Sequence, residues 1–216
     1  MNPLAVIFDM DGVIVDNADY HFKAWKQTCN QYGISLTEEQ YQTQLNGRTM
    51  TDTLAILFGR KLSEEEETAF SQTKEALYRE LYAPHLKPVP GLLSFLQSLQ
   101  QAGFPLAVAT SAPPDNVTFT LDGTGTRAFF SSIIDASMVS QGKPHPEVYT
   151  RSGEALNMPP QNCWVFEDAV QGVKAGKAAG MKVCGISTTH TADKLHEADR
   201  IISDFEGLTA EDLFLW

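Results

Sequence analysis

Leu4-Ala-Val-Ile-Phe-Asp-Met-Asp-Gly-Val13 is the stretch that decides how this chain is read. An apolar run of strand length and strand composition ends in two carboxylates, Asp9 and Asp11, with a glycine directly behind them. Gly12 permits a sharp turn just past the strand end. Two carboxylates there can serve one reacting centre, one as nucleophile or metal ligand, the other as proton donor and acceptor. Asp-x-Asp also marks ordinary turns, so its weight depends on what the later strand ends carry.

Downstream the chain alternates. Short apolar runs at Phe104–Ala109, Ser132–Ala136, Cys163–Phe166, Val183–Ile186 and Arg200–Ser203 read as strands. Helical patterns at Gly91–Ala102, Pro146–Leu156 and Ala169–Ala179 lie between them. Strand and helix in turn, with short loops, predict an α/β fold: a parallel sheet covered by helices on both faces.

The first strand breaks this rhythm. Residues 16–87 read as helix after helix, inserted between the first strand and the helix at Gly91, within a core formed by 1–15 and 88–216. Asp19–Tyr32 stops at Gly33, Thr49–Phe58 follows, and Ser63–Tyr82 is the longest. Thr37 with Gln40, and Ser63 with Glu66, have the spacing of capping boxes. Pro84, Pro88 and Pro90 mark the return to the core. An insertion there is expected over the carboxyl end of the sheet, where open α/β folds bind ligands, and can act as a lid. The acidic run Glu64–Glu67 follows a capping serine and reads as a solvated helix start rather than a metal site. Asp122-Gly-Thr-Gly-Thr126 lacks the Lys-Ser/Thr of a phosphate loop and reads as a helix-ending loop.

The chain has 216 residues, 43% hydrophobic and 20% charged, with a net charge of −11. That balance argues against a nucleic-acid or membrane partner. An anionic substrate must then be attracted by a metal or a few placed cations. Cys29, Cys163 and Cys184 form no Cys-x-x-Cys pair and read as buried thiols in a reducing cytoplasm. No basic leader or membrane-length apolar stretch is read, and a monomer is expected.

Three further strand ends carry polar groups. Thr110-Ser111 offers a hydroxyl and following amides to an anion. Gly142-Lys-Pro-His-Pro-Glu147 presents Lys143 in a loop stiffened by prolines. Glu167-Asp168 ends a buried strand, and two acids there repel unless a cation sits between them and Asp9. An oxygen-only ligand set points to Mg²⁺.

In order and placement these residues resemble the four motifs of the haloacid dehalogenase superfamily, across essentially the whole chain. Phe8-Asp-Met-Asp-Gly-Val-Ile-Val15, Tyr20-His-Phe-Lys-Ala-Trp25, Gly142-Lys-Pro-His-Pro-Glu147 and Phe166-Glu-Asp-Ala-Val-Gln-Gly172 are similar to its β-phosphoglucomutase-like branch. The resemblance implies a Rossmann-like core with an inserted α-helical cap. It implies that Asp9 attacks phosphorus and that Asp11 is the acid and base. It gives Mg²⁺ to the Asp9 side chain, the Asp11 carbonyl and Asp168, with Glu167 either a ligand or its neighbour. Thr110, Ser111 and Lys143 are implied to hold phosphate oxygens. His21, Trp25, Gly47, Arg48 and Lys74 fall where that branch has cap and substrate residues.

Some positions depart from the branch. Met50 stands where the mutases carry an arginine for the second phosphate, and the nearest arginine is Arg48. Asn17 replaces Thr or Ser, and Pro113-Pro114 replaces a Lys-Asn pair. The expectation is therefore a Mg²⁺-dependent phosphatase of a small phosphorylated metabolite, a sugar phosphate by preference. A β-phosphoglucomutase-like mutase is the alternative. A receiver-type phospho-switch would carry its acid pair before the phosphoacceptor, which this chain does not.

Overall fold

A computed structural model describes residues 4–45 and 49–216. The chain divides into two compact units, Asn17–His85 and the remainder, Met1–Asp16 with Leu86–Trp216. The larger unit is built on β1 (Ala5–Phe8), β2 (Leu106–Ala109), β3 (Ser132–Ile134), β4 (Cys163–Glu167), β5 (Lys182–Ile186) and β6 (Arg200–Ile202). They form one sheet in the order β3-β2-β1-β4-β5-β6, with every neighbouring pair parallel. The chain leaves β1 toward β2 on one side and returns to β4 on the other. The carboxyl ends of β1 and β4 therefore flank the switch point where such sheets bind ligands.

Strand parity sorts the side chains. Ala5, Ile7, Ala107, Ala109, Cys163 and Val165 pack on one face, with Val148 and Tyr149 of the helix Glu147–Ala155. The opposite face is aromatic. Phe8 stacks on Phe166 at 5.1 Å, and Phe95 stacks on Phe205 at 5.6 Å. Register pairs Phe8 with Val108 and with Phe166. One residue further, Asp9 and Glu167 share the parity of Ile7 and Val165. Both acids thus belong to the face that Glu147–Ala155 covers.

In chain order the α-helices are α1 (Ala18–Gln31), α2 (Glu38–Gln40), α3 (Met50–Phe58), α4 (Glu64–Tyr82), α5 (Leu92–Gln101), α6 (Pro114–Gly123), α7 (Glu147–Ala155), α8 (Val170–Ala178) and α9 (Asp212–Leu215). Helix α6 is absent from the sequence reading. Its signal is Pro114 in the first turn, where the missing N–H costs nothing. It ends at Gly123, so Asp122-Gly123 is its last turn and Thr124–Thr126 is the loop that follows. Three strands are shorter than expected, β6 by a single residue. Pro105 has no N–H for the ladder, and β2 begins at Leu106. Asp135 ends β3 by accepting from the Ser137 N–H at 2.9 Å, which starts a 3₁₀ turn.

The helical unit has its own core. Trp25, Cys29, Leu36, Leu54 and Phe70 are buried together, with Met50 and Phe58 packed against them. Both capping boxes form, at Thr37/Gln40 and Ser63/Glu66. Glu64–Glu67 is the first turn of α4, and Arg60 pairs with Glu66 at 2.6 Å. After α2 the chain continues as a π-helical turn, Tyr41–Leu45, which periodicity does not reveal. No helix among the described residues is long and apolar enough to cross a membrane.

Candidate active site

The carboxyl ends of β1, β2 and β4 bring Asp9, Thr110, Glu167 and Asp168 together with Lys143 from the loop before α7. The Asp9 N–H donates to the Phe166 carbonyl at 3.0 Å, extending the β1–β4 ladder by one residue. Lys143 Nζ donates to Asp9 Oδ1 and to Glu167 Oε1, each at 2.6 Å, and to the Ala109 carbonyl at 3.4 Å. The cation that two buried acids require is thus in part the lysine itself. Glu147, at the start of α7, ties down the lysine loop by accepting from the Ser140 and Gln141 amides at 3.0 and 2.9 Å. Thr110 Oγ1 accepts from the Ala112 N–H at 3.0 Å and shapes the turn after β2. Ser111 in that turn is exposed. Asp11 lies half-buried in the turn after β1.

Charge in this pocket is unbalanced. Asp9, Glu167 and Asp168 are 7%, 1% and 5% exposed and face one lysine. Burial pushes the Asp9 carboxyl up to about 7, and Lys143 only partly offsets this against Glu167 and Asp11. Asp168 is raised by burial and then by Glu167 and Asp9, with a hydrogen bond from Thr189 acting the other way. Lys143 is buried, yet Asp9 and Glu167 hold its value above the usual range, so it stays protonated. Fully ionised, three carboxylates against one ammonium would leave a deficit of two positive charges. One oxygen from each of Asp9, Glu167 and Asp168 lies within 4.8 Å of the others. Hard oxygen donors within that group, without His or Cys, suit a divalent cation.

Two glycines make room for these acids. At Gly12, with φ +76°, an added Cβ would lie 2.0 Å from Asp168 Oδ2 and 2.8 Å from Thr189 Oγ1. At Gly172 in α8, it would lie 1.7 Å from Glu167 Oε1. Thr188 Oγ1 donates to the Gly12 carbonyl, so the loop after β5 braces the turn that carries Asp11. The sequence reading missed Thr188 and Thr189. Their signal was the one used for Thr110-Ser111, hydroxyls directly behind a strand. It also missed Tyr149, whose hydroxyl donates to Glu167 Oε1 at 2.6 Å.

The helical unit gathers its own polar cluster. Lys74 Nζ lies 3.0 Å from His21 Nδ1 and donates to Glu75 at 2.8 Å. The His21 ring stacks on Tyr78 at 3.9 Å, and Asn17 Nδ2 donates to the Tyr78 hydroxyl at 2.6 Å. Trp25 is part of the hydrophobic core of the unit, with Lys74 Nζ 5.6 Å from its ring. Met50 packs against that core. Gly47 and Arg48 lie outside the described residues.

The chain is 32% identical to validoxylamine A 7'-phosphate phosphatase of Streptomyces hygroscopicus subsp. limoneus, over 92% of each chain. It is 31% identical to a phosphorylated carbohydrates phosphatase of Thermotoga maritima, over 82% of each. The solved structure of β-phosphoglucomutase from Clostridium difficile superposes with a TM-score of 0.86 at 29% identity, covering 99% of this chain and 96% of that one. The family model for haloacid dehalogenase-like hydrolases matches residues 6–186, from β1 through the end of β5. The chain belongs to the haloacid dehalogenase-like hydrolases.

Proposed function

We propose that this protein is a Mg²⁺-dependent phosphatase that hydrolyses a small sugar phosphate through an aspartyl-phosphate on Asp9. The observation that carries the reading is the buried group Asp9, Glu167 and Asp168 gathered around Lys143 at the switch point of the sheet. Asp9 is the nucleophile: a carboxylate oxygen forms a bond to phosphorus as the ester oxygen departs. Asp11 gives that oxygen its proton. It then takes a proton from the water that attacks the aspartyl-phosphate, releasing inorganic phosphate and regenerating Asp9. Lys143, the Thr110 hydroxyl and the amides of the turn at Ser111 hold the equatorial phosphoryl oxygens. Asp9, Asp168 and the Asp11 carbonyl would hold Mg²⁺, which supplies charge neutralisation at the transferred group when bound. His21 and Lys74 are assigned to substrate recognition, together with Gly47 and Arg48. The three buried free thiols suit a reducing cytoplasm.

Mutase activity is the second reading, and the His21–Lys74 contact is the observation in its favour. Met50 weighs against it. The mutases carry a cation at that position, and here the side chain packs into the apolar core of the helical unit. A lost charge-assisted contact costs on the order of 1.5–3 kcal/mol, roughly ten- to a hundredfold in affinity for a second phosphate. The test is a panel of phosphorylated sugars with Mg²⁺, reading released phosphate and isomerised sugar together. Phosphate release should dominate, even with a hexose bisphosphate added as activator. Faster conversion of β-glucose 1-phosphate to glucose 6-phosphate, abolished by Arg48→Ala, would establish the mutase instead.

A further inference from the structure

Glu167 is the least exposed of the three acids, and its carboxylate is saturated. Oε1 accepts from Lys143 Nζ and from the Tyr149 hydroxyl, both at 2.6 Å. Oε2 accepts from the Asp168 and Ala169 amides, both at 3.0 Å. A carboxylate has about four lone-pair positions, so these donors fill them. Gly172 lets α8 pass against the carboxylate so closely that no side chain fits between. Asp168, beside it, receives only the Thr189 hydroxyl among the hydrogen bonds described for its side chain.

Tyr149 touches two members of this arrangement at once. It is 0% exposed, its hydroxyl is on Glu167, and Lys143 Nζ lies 4.9 Å from its ring centroid. It reaches them because α7 packs on the sheet face that Glu167 shares by parity. A lysine has a long flexible stem and no directional preference of its own. Here both the hydroxyl and the ring face of one rigid aromatic limit where it can go.

We propose that Tyr149 is a positioning residue for phosphoryl transfer: it fixes Glu167 as the anchor of Lys143, and Glu167 is not a ligand of the metal. The inference rests on the phosphatase reading and deepens it. The metal then belongs to Asp9, Asp168 and the Asp11 carbonyl, while Glu167 and Tyr149 form a separate support that aims the ammonium at the phosphate. Removing the hydroxyl leaves the ring packed but frees Glu167 Oε1, and with it the lysine. The defect should appear in phosphate affinity and leave metal affinity intact.

The experiment is a pair of titrations on the full chain, followed by thermal shift. Mg²⁺ is titrated in the absence of phosphate, and inorganic phosphate at saturating Mg²⁺. In Tyr149→Phe the phosphate Kd should rise about tenfold, the size of one hydrogen bond to a charged group, while the Mg²⁺ Kd stays within about twofold. Glu167→Gln should show the same phosphate defect, and the double variant should add little to it, because both act on one lysine. These two variants keep the question open to refutation should Tyr149→Phe fold poorly. A phosphate Kd within twofold of wild type in Tyr149→Phe, whatever its melting temperature, means that the hydroxyl only stabilises the fold and overturns the proposal. An Mg²⁺ Kd that weakens as much as that for phosphate makes Glu167 a ligand and also overturns it. Absence of phosphate binding by the wild type would overturn the phosphatase reading itself, and this inference with it.

Discussion

Gly172→Ala is a substitution whose usual effect should be reversed here. Gly172 lies inside α8 without a positive φ, so alanine is expected to gain about 1 kcal/mol in helix propensity. The added Cβ, however, would stand 1.7 Å from Glu167 Oε1, 1.9 Å from its Cδ and 2.3 Å from Oε2. Ordinary contact needs about 3.5 Å, so the carboxylate must retreat by roughly 1.5 Å or more. Its bonds to Lys143 and Tyr149 are 2.6 Å long, and those to the Asp168 and Ala169 amides are 3.0 Å. A shift of that size breaks most of them. Disrupting a buried, hydrogen-bonded ion pair costs about 3–5 kcal/mol. Less the helical gain, the net loss is about 2–4 kcal/mol, a fall in Tm of roughly 5–15 °C for a chain of this size. Turnover should fall by about a hundredfold or more, because Lys143 loses its anchor. Gly153→Ala in α7 is the control, since its nearest neighbour is the movable Met181 Cε at 3.1 Å. That variant should stay within about 1 kcal/mol of wild type. Thermal and urea unfolding by circular dichroism, with phosphate release measured alongside, checks both. A Gly172→Ala protein as stable and as active as wild type would refute the reasoning.

Asp9→Asn should abolish turnover and leave the fold intact, with a native circular dichroism spectrum; a trapped phospho-enzyme labelled at another residue contradicts the assignment. Folding raises the carboxyl of Asp9 from 3.8 to about 7 and raises that of Asp168 as well, so the metal-free folded state holds these protons more tightly than the unfolded chain does. The stability that Asp9 contributes is present below its unfolded value and is lost as pH rises through about 7. Metal-free protein should therefore melt lower at pH 7.5 than at pH 5, and Mg²⁺ should raise Tm more at pH 7.5; equal shifts at both would count against a carboxylate metal site. In the helical unit, Tyr78→Phe removes the buried partner of Asn17 and should cost about 1–2 kcal/mol in urea unfolding. An unchanged midpoint would show that the bond carries no net stability.

Asp9, Thr110 and the pair Glu167-Asp168 could be picked out of the sequence because each follows a local pattern, an apolar run that stops and then a polar group; Lys143 stood out instead as a lysine in a proline-stiffened loop just before a helix. The alternation of strands and helices gave the parallel sheet for the same reason, since periodicity and turn residues act over a few positions. Helix α6 escaped because its start is marked only by prolines. Chain order could not show which acid faces the lysine. Lys143 and Asp9 are 134 residues apart, and their contact depends on the pairing of β1 with β4 and on the shared parity of Asp9 and Glu167. Tyr149 reads in sequence as one more apolar position of α7; it becomes a partner of Glu167 only because that helix lies on that face of the sheet. Thr188 and Thr189 likewise acquire meaning from β5 lying beside β4. Met50 shows the same division. The resemblance marked this position as one where the mutases carry an arginine, and only packing showed that the Met50 side chain lies against the apolar core of its unit. Residue types and local rules name the groups able to do chemistry. Which of them meet is decided by long-range strand pairing, because a hydrogen bond depends on ångström-scale positions that separation along the chain does not encode.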